Sequence, residues 1–126
     1  MCALTKPIDW LTGDVLLDGK PINACAYIAR ATEGREIETI EGLNDELSTH
    51  IKQAIVAAGG VQCGYCTPGI IVMLSALLRC HAAPDEALIR EALSGNICRC
   101  TGYHNIVKAI LAAAEEMGGS AKVAAE

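Results

Sequence analysis

"VQCGYCTPGIIVMLSALLRC", residues 61–80, sets Cys63 and Cys66 directly against the start of a helix. Thr67 offers a capping hydroxyl, and Pro68 suits the first helical position, where no amide donor is needed. The apolar run that follows, Gly69 to Leu78, is about half the length of a bilayer span and has polar flanks, so no membrane crossing is expected.

Working outward, three more stretches carry helical patterns. "NDELSTHIKQAIVAAGG" (44–60) places Leu47, Ile51 and Ile55 at four-residue spacing, with Asn44 as the expected cap and Gly59 as the stop. "PDEALIREALSG" (84–95) predicts a short helix ended by Gly95. "NIVKAILAAAEEMGG" (105–119) predicts a last helix ended by Gly118, with residues 119–126 as a loose tail. The helices form two pairs, and a cysteine pair precedes the second helix of each: Cys63 and Cys66, then Cys98 and Cys100 in "GNICRCTG" (95–102).

Ahead of the helices, residues 15–40 read as β structure. "VLL", the turn "DGKP" and "INACAYIA" form a hairpin, and "REIETI" adds one strand after a turn at Glu33-Gly34. So small a sheet is marginal by itself, and its edges call for cover. The expected fold class is α+β, with a sheet region over 1–42, a four-helix unit over 43–118 and the tail.

Composition narrows the function. The chain has 126 residues, 52% of them hydrophobic, enough for a real core. Ten Lys plus Arg against 15 Asp plus Glu give a net charge of -5, and aromatic residues are scarce. Both features argue against a nucleic-acid partner. "MCALTKPIDWLTGD" has no basic stretch followed by an apolar core and a cleavage site, so a cytoplasmic location is expected. Seven cysteines, an odd count without an export signal, point to metal rather than to a disulfide scaffold.

Four thiolates delivered by two loops at helix N-termini suit a cationic metal core whose total charge, sulfurs included, is negative; backbone N–H groups and helix dipoles offset the excess. Gly64 is expected to keep the first loop clear of the metal. Spacing alone leaves two candidates, a tetrahedral zinc site and an iron-sulfur cluster. The one-residue gap between Cys98 and Cys100 fits zinc less well than a two-iron cluster in which both sulfurs grip one iron. A disulfide between them would close too small a ring. Arg99 reads equally as a charge at the rim or a solvated loop residue. His50 and His81 have no metal-like neighbours, Cys80 reads as a small buried residue, and Tyr103 and His104 read as packing or rim.

"VQCGYCTPGIIVMLSALL" (61–78) followed by "LSGNICRCTGYHNIVKAI" (93–110) resembles the iron-sulfur subunit of the molybdenum hydroxylases, the family of xanthine dehydrogenases, aldehyde oxidoreductases and aerobic carbon monoxide dehydrogenases. "VLLDGKPINAC" and "REIETIEGL" resemble the stretch that precedes it there. The resemblance implies a [2Fe-2S] cluster ligated by Cys63, Cys66, Cys98 and Cys100, beside a molybdenum-pterin cofactor on a large partner subunit. It implies that Gln62 and Cys100 approach that pterin, and that a medium partner subunit carries FAD. The implied role is electron transfer from the molybdenum centre toward a flavin or another acceptor. A free-standing [2Fe-2S] carrier and a zinc-stabilised adaptor are the competing readings.

The resemblance fails at the N-terminus. The family's other half is a plant-type ferredoxin domain of β-grasp form, with a second cluster that needs a Cys-x4-Cys-x2-Cys run. Only Cys25 matches its fourth ligand, and Cys2 is the only other cysteine nearby. One cluster is therefore expected on this chain, with a truncated β-grasp-like sheet. A true single-cluster subunit, a shortened N-terminus in the sequence and a cluster shared with another chain all fit; the first is the plain reading.

Overall fold

The computed structural model describes residues 13–123, with side chains through Gly118. Its chain begins with a hairpin. β1 (Asp14–Leu17) and β2 (Lys20–Asn23) pair antiparallel, with Asp14 opposite Asn23 and Leu17 opposite Lys20. Asp18 and Gly19 connect them with φ of 49° and 75°, the two left-handed residues of a type I′ turn, whose twist matches that of the strands. The Arg35 guanidinium and the Glu36 N–H both bind the Asp18 carboxylate, at 2.7 and 3.0 Å. β3 (Ile37–Glu38) joins the other edge of β1, so the order is β2-β1-β3.

The second strand is shorter than the sequence suggests. Beyond Asn23 the chain coils into 3-10 turns at Ala24–Ala26 and Ala29–Thr32. β1 starts at Asp14, opposite Asn23, so residues 24–29 have no β1 partner to extend the ladder.

Four helices follow: α1 (Glu46–Ala57), α2 (Thr67–Cys80), α3 (Glu86–Ala92) and α4 (His104–Val123). Asp45, one residue later than expected, caps α1 by accepting from the Ser48 N–H at 3.3 Å. Asn44 instead turns back, its side-chain amide donating to the Glu41 carbonyl. α2 starts at Thr67 with Cys66 as its cap residue, and no side chain caps it; Pro68 stands in the first turn as expected. Asp85 caps α3, its carboxylate accepting from the Leu88 N–H at 2.8 Å. α4 does not end at Gly118 but continues to Val123. A glycine stop requires a left-handed backbone, and Gly118 is not among the glycines with positive φ. Residues 119–123 are thus helical, and residues 124–126 and Cys2 lie outside the described residues.

α2 is the axis of the fold. Every residue from Ile70 to Leu78 is buried, because one side meets α1 and α3 while another meets the sheet. The main core joins Ile51 and Ile55 of α1, Leu74 and Leu77 of α2, Ile89 of α3 and Ile106 and Ile110 of α4. A second cluster, Leu16, Leu43, Val72 and Ala76, lays the sheet on α2. These side chains are fully or almost fully excluded from solvent, each Leu, Ile and Val contributing about 1.5–3 kcal/mol. The small sheet is covered by this shared face. Arg79 adds a polar tie at the end of α2, bonding Glu38 of β3 at 2.9 Å and Asp45 at 3.3 Å.

Candidate metal centre

The two cysteine loops meet at the N-terminal end of α2. Cys63 and Cys100, 37 positions apart, have their sulfurs 3.5 Å from each other, and Cys66 and Cys98 are close enough for each to shift the other's acidity. The four thiols therefore pair across the loops: 63 with 100, 66 with 98. Cys98 and Cys100, expected from their spacing to share one iron, each lie beside a thiol of the other loop. Cys98 is buried and Cys100 exposed.

Each loop is held by its own bonds. The Thr67 N–H reaches the Gly64 carbonyl at 3.2 Å, closing the first loop onto α2. Gly64 has φ of 82°, and a Cβ there would approach only Val61, at 4.0 Å. That left-handed backbone favours glycine. In the second loop the Tyr103 hydroxyl donates to the Asn96 carbonyl at 2.8 Å and accepts from the Cys98 N–H at 2.6 Å. Tyr103, expected only to pack or to line the rim, is therefore the pin of this loop. Its φ of 66° directly after Gly102 at 63° turns the ring back over the loop, a left-handed bend that "TGY" before a helical run could have signalled.

The electrostatics split each pair. Burial opposes charge on Cys98, but the Thr101 hydroxyl, the N–H groups of Thr101 and Cys100 and the Cys66 thiol outweigh it and bring Cys98 down to about 7. Burial, together with the neighbouring Cys98, pushes Cys66 up to about 12. The Tyr65 N–H, followed by the Cys100 thiol, lowers Cys63. Cys100 is raised by its hydrogen bond and proximity to Cys63. Every thiol feels at least one other, which marks a single thiol-rich site.

The donor set fits a cluster better than a lone ion. Among the described residues no three Cys, His, Asp or Glu side chains converge as ligands of one metal ion. Four thiols supplied by two loops match a two-iron core in which each iron takes two thiolates. The inner pair is shielded, whereas Cys63 and Cys100 are exposed. Gln62 is exposed next to Cys63, and Val61, Tyr65 and Ile97 leave apolar surface around the outer pair, Tyr65 at 74% exposure. Arg99 and His104 are exposed beside the second loop. Cys25 lies in the 3-10 turn after β2, its thiol donating to Asn23 Oδ1 at 3.2 Å. His50 lies on α1, its Nε2 3.2 Å from Glu116 of α4; His81 follows α2.

Comparison with known proteins matches residues 39–111 to the [2Fe-2S] binding domain family. The chain is 45% identical over 105 residues to a probable xanthine dehydrogenase subunit of Bacillus subtilis, covering 83% of this chain and 61% of that protein. It is 47% identical over 104 residues to the xanthine dehydrogenase iron-sulfur-binding subunit of Escherichia coli O157:H7, covering 77% and 63%. Among solved structures, quinoline 2-oxidoreductase from Pseudomonas putida 86 superposes with a TM-score of 0.76 at 37% identity, over 86% of this chain and 70% of that one. The chain spans a little over three fifths of the length of the curated relatives it matches.

Proposed function

Because the chain belongs to the [2Fe-2S] binding domain family, we propose that it is the electron-transfer subunit of a molybdenum hydroxylase complex. The observation that carries this reading is the meeting of Cys63, Cys66, Cys98 and Cys100 in two cross-loop pairs, one shielded and one open to the surface. When bound, a [2Fe-2S] cluster takes up and releases one electron at a time. These four residues would hold it as thiolates, and the unit spanning residues 43–118 would position it.

The chain's own contribution is placement and exclusion. α2 fixes the first loop, and the Tyr103 hydroxyl fixes the second. Backbone N–H groups at Tyr65, Cys100 and Thr101 face the sulfurs and stabilise their negative charge. Gln62 and Cys100, exposed on the outer side, would face the molybdenum-pterin cofactor of a large partner subunit, with Val61, Tyr65 and Ile97 as the apolar rim of that contact. An FAD-binding subunit is the proposed acceptor side. No helix among the described residues is long and apolar enough to cross a membrane. A cytoplasmic complex is the proposed setting.

The test is isolation of the chain with its native partners. A molybdenum-bearing large chain in the complex, with a reducible [2Fe-2S] signal that disappears in Cys98→Ser, supports the reading. A colourless chain carrying zinc, or an iron-bearing chain that purifies alone, defeats it.

A further inference from the structure

We propose that Thr101 tunes the reduction potential of the cluster by donating its hydroxyl hydrogen to the Cys98 sulfur. The inference rests on reading Cys98 as a cluster ligand. Thr101 Oγ1 lies 2.9 Å from Cys98 Sγ, and the Thr101 N–H reaches the same sulfur at 3.4 Å. Oγ1 also accepts from the Tyr103 N–H at 3.3 Å. Between a thiol and a hydroxyl, either partner of the short contact could supply the hydrogen. A ligating cysteine has lost its proton, so the hydroxyl becomes the donor. The Tyr103 N–H, occupying a lone pair on Oγ1, helps hold it in that orientation.

Cys98 is thus the thiolate with two donors from one residue, and it sits on the shielded side of the site. Such a bond is strong where the sulfur is charged and solvent is excluded. Reduction adds a negative charge to the cluster, and a hydrogen bond to sulfur stabilises that added charge more than it stabilises the oxidised form. Thr101 therefore raises the potential, making this chain a readier electron acceptor. The loop also keeps this role separate from positioning. Tyr103 pins the backbone through Asn96 and the Cys98 N–H, without touching the sulfur in either of those bonds.

The experiment is a redox titration of the iron-loaded chain in its complex, followed by its paramagnetic signal, for wild type, Thr101→Val and Thr101→Ser. Valine keeps the shape and removes the hydroxyl; serine restores it. The expected result is that valine makes reduction about tenfold less favourable, about 59 mV for a one-electron couple, with iron content unchanged, and that serine returns the potential toward wild type. An unchanged potential in a fully loaded valine variant overturns the proposal while leaving the ligand assignment intact. Loss of the iron-sulfur spectrum in Cys98→Ser tests that assignment separately. If the valine variant does not hold iron, the reduced wild-type complex decides: proton-coupling spectroscopy there should detect an exchangeable hydroxyl proton at the Cys98 sulfur in addition to the Thr101 amide proton. Its absence overturns the proposal.

Discussion

Asn96 and Asp14 stand 82 positions apart and meet in the interior, the Asn96 side-chain amide donating to Asp14 Oδ2 at 2.9 Å. One belongs to the approach to the second cysteine loop and the other to the first strand, so this bond ties the sheet to the metal centre. Both are buried, at 2% and 6% exposure. Asn96→Ala deletes the donor next to a buried carboxyl group and should cost about 1–3 kcal/mol, read as a lower urea midpoint at unchanged slope. Gly69→Ala attacks the same place from α2, because a Cβ there would come within 3.0 Å of both side chains; a loss of about 1–3 kcal/mol is expected.

Replacing Cys98 or Cys100 by Ser should remove the cluster and loosen the helical unit, since a metal that binds only the folded form adds its binding energy to folding. Iron analysis and a thermal melt check this together. Full iron content with a normal transition would contradict the ligand assignment.

Cys25→Ser should leave the iron content and the reduced signal unchanged, because its thiol faces Asn23 and takes no part in the four-thiol site. Iron should approach two atoms per chain. A lost signal in this variant would mean that Cys25 belongs to a second site.

Gln62→Ala should preserve iron while slowing turnover of the complex, since the residue is exposed beside Cys63. The measurement is steady-state turnover under conditions where electron transfer out of the large subunit limits the rate. Unchanged turnover there would return Gln62 to an ordinary surface role.

Acid should weaken the junction of β3, α1 and α2. Burial alone would raise the Asp45 carboxyl, but its bonds to Ser48 and Arg79 prevail and leave it below the usual carboxylate value. A lowered carboxylate contributes stability that is fully present above its unfolded pKa and is lost as pH falls through the folded one. Asp45→Ala should therefore cost about 1 kcal/mol at neutral pH through the lost cap. It should also flatten the fall in stability below the unfolded carboxylate pKa, as followed by denaturant titrations from pH 7 downward.

The helices were legible because their signals are local. Pro68 and Thr67 place the start of α2, and Leu47, Ile51 and Ile55 mark the inner face of α1. The cap of α1 was misplaced by one residue because Asn44 and Asp45 are both good caps, and only the tertiary fold turns Asn44 back to Glu41. Gly118 misled for a related reason: composition suggested a stop, while the backbone there stays helical. At the site, the four cysteines could be read from spacing, but their partners could not. Which thiol faces which depends on how α2 and α3 fold back between the loops, and that is a property of packing. The Tyr103 hydroxyl was missed because its two partners, Asn96 and Cys98, offer backbone groups that leave no mark on residue type.

The cross-loop pairing also bears on how the protein is made. A chain emerging from the ribosome presents Cys63 and Cys66 early, yet each needs a sulfur from beyond α3, so the first loop by itself offers half of each pair. Closing pairs 37 and 32 positions apart requires α2 and α3 to have folded back on each other. Iron delivery must then come late in synthesis, after residue 100 is available, and a chain truncated before it should be unable to retain metal.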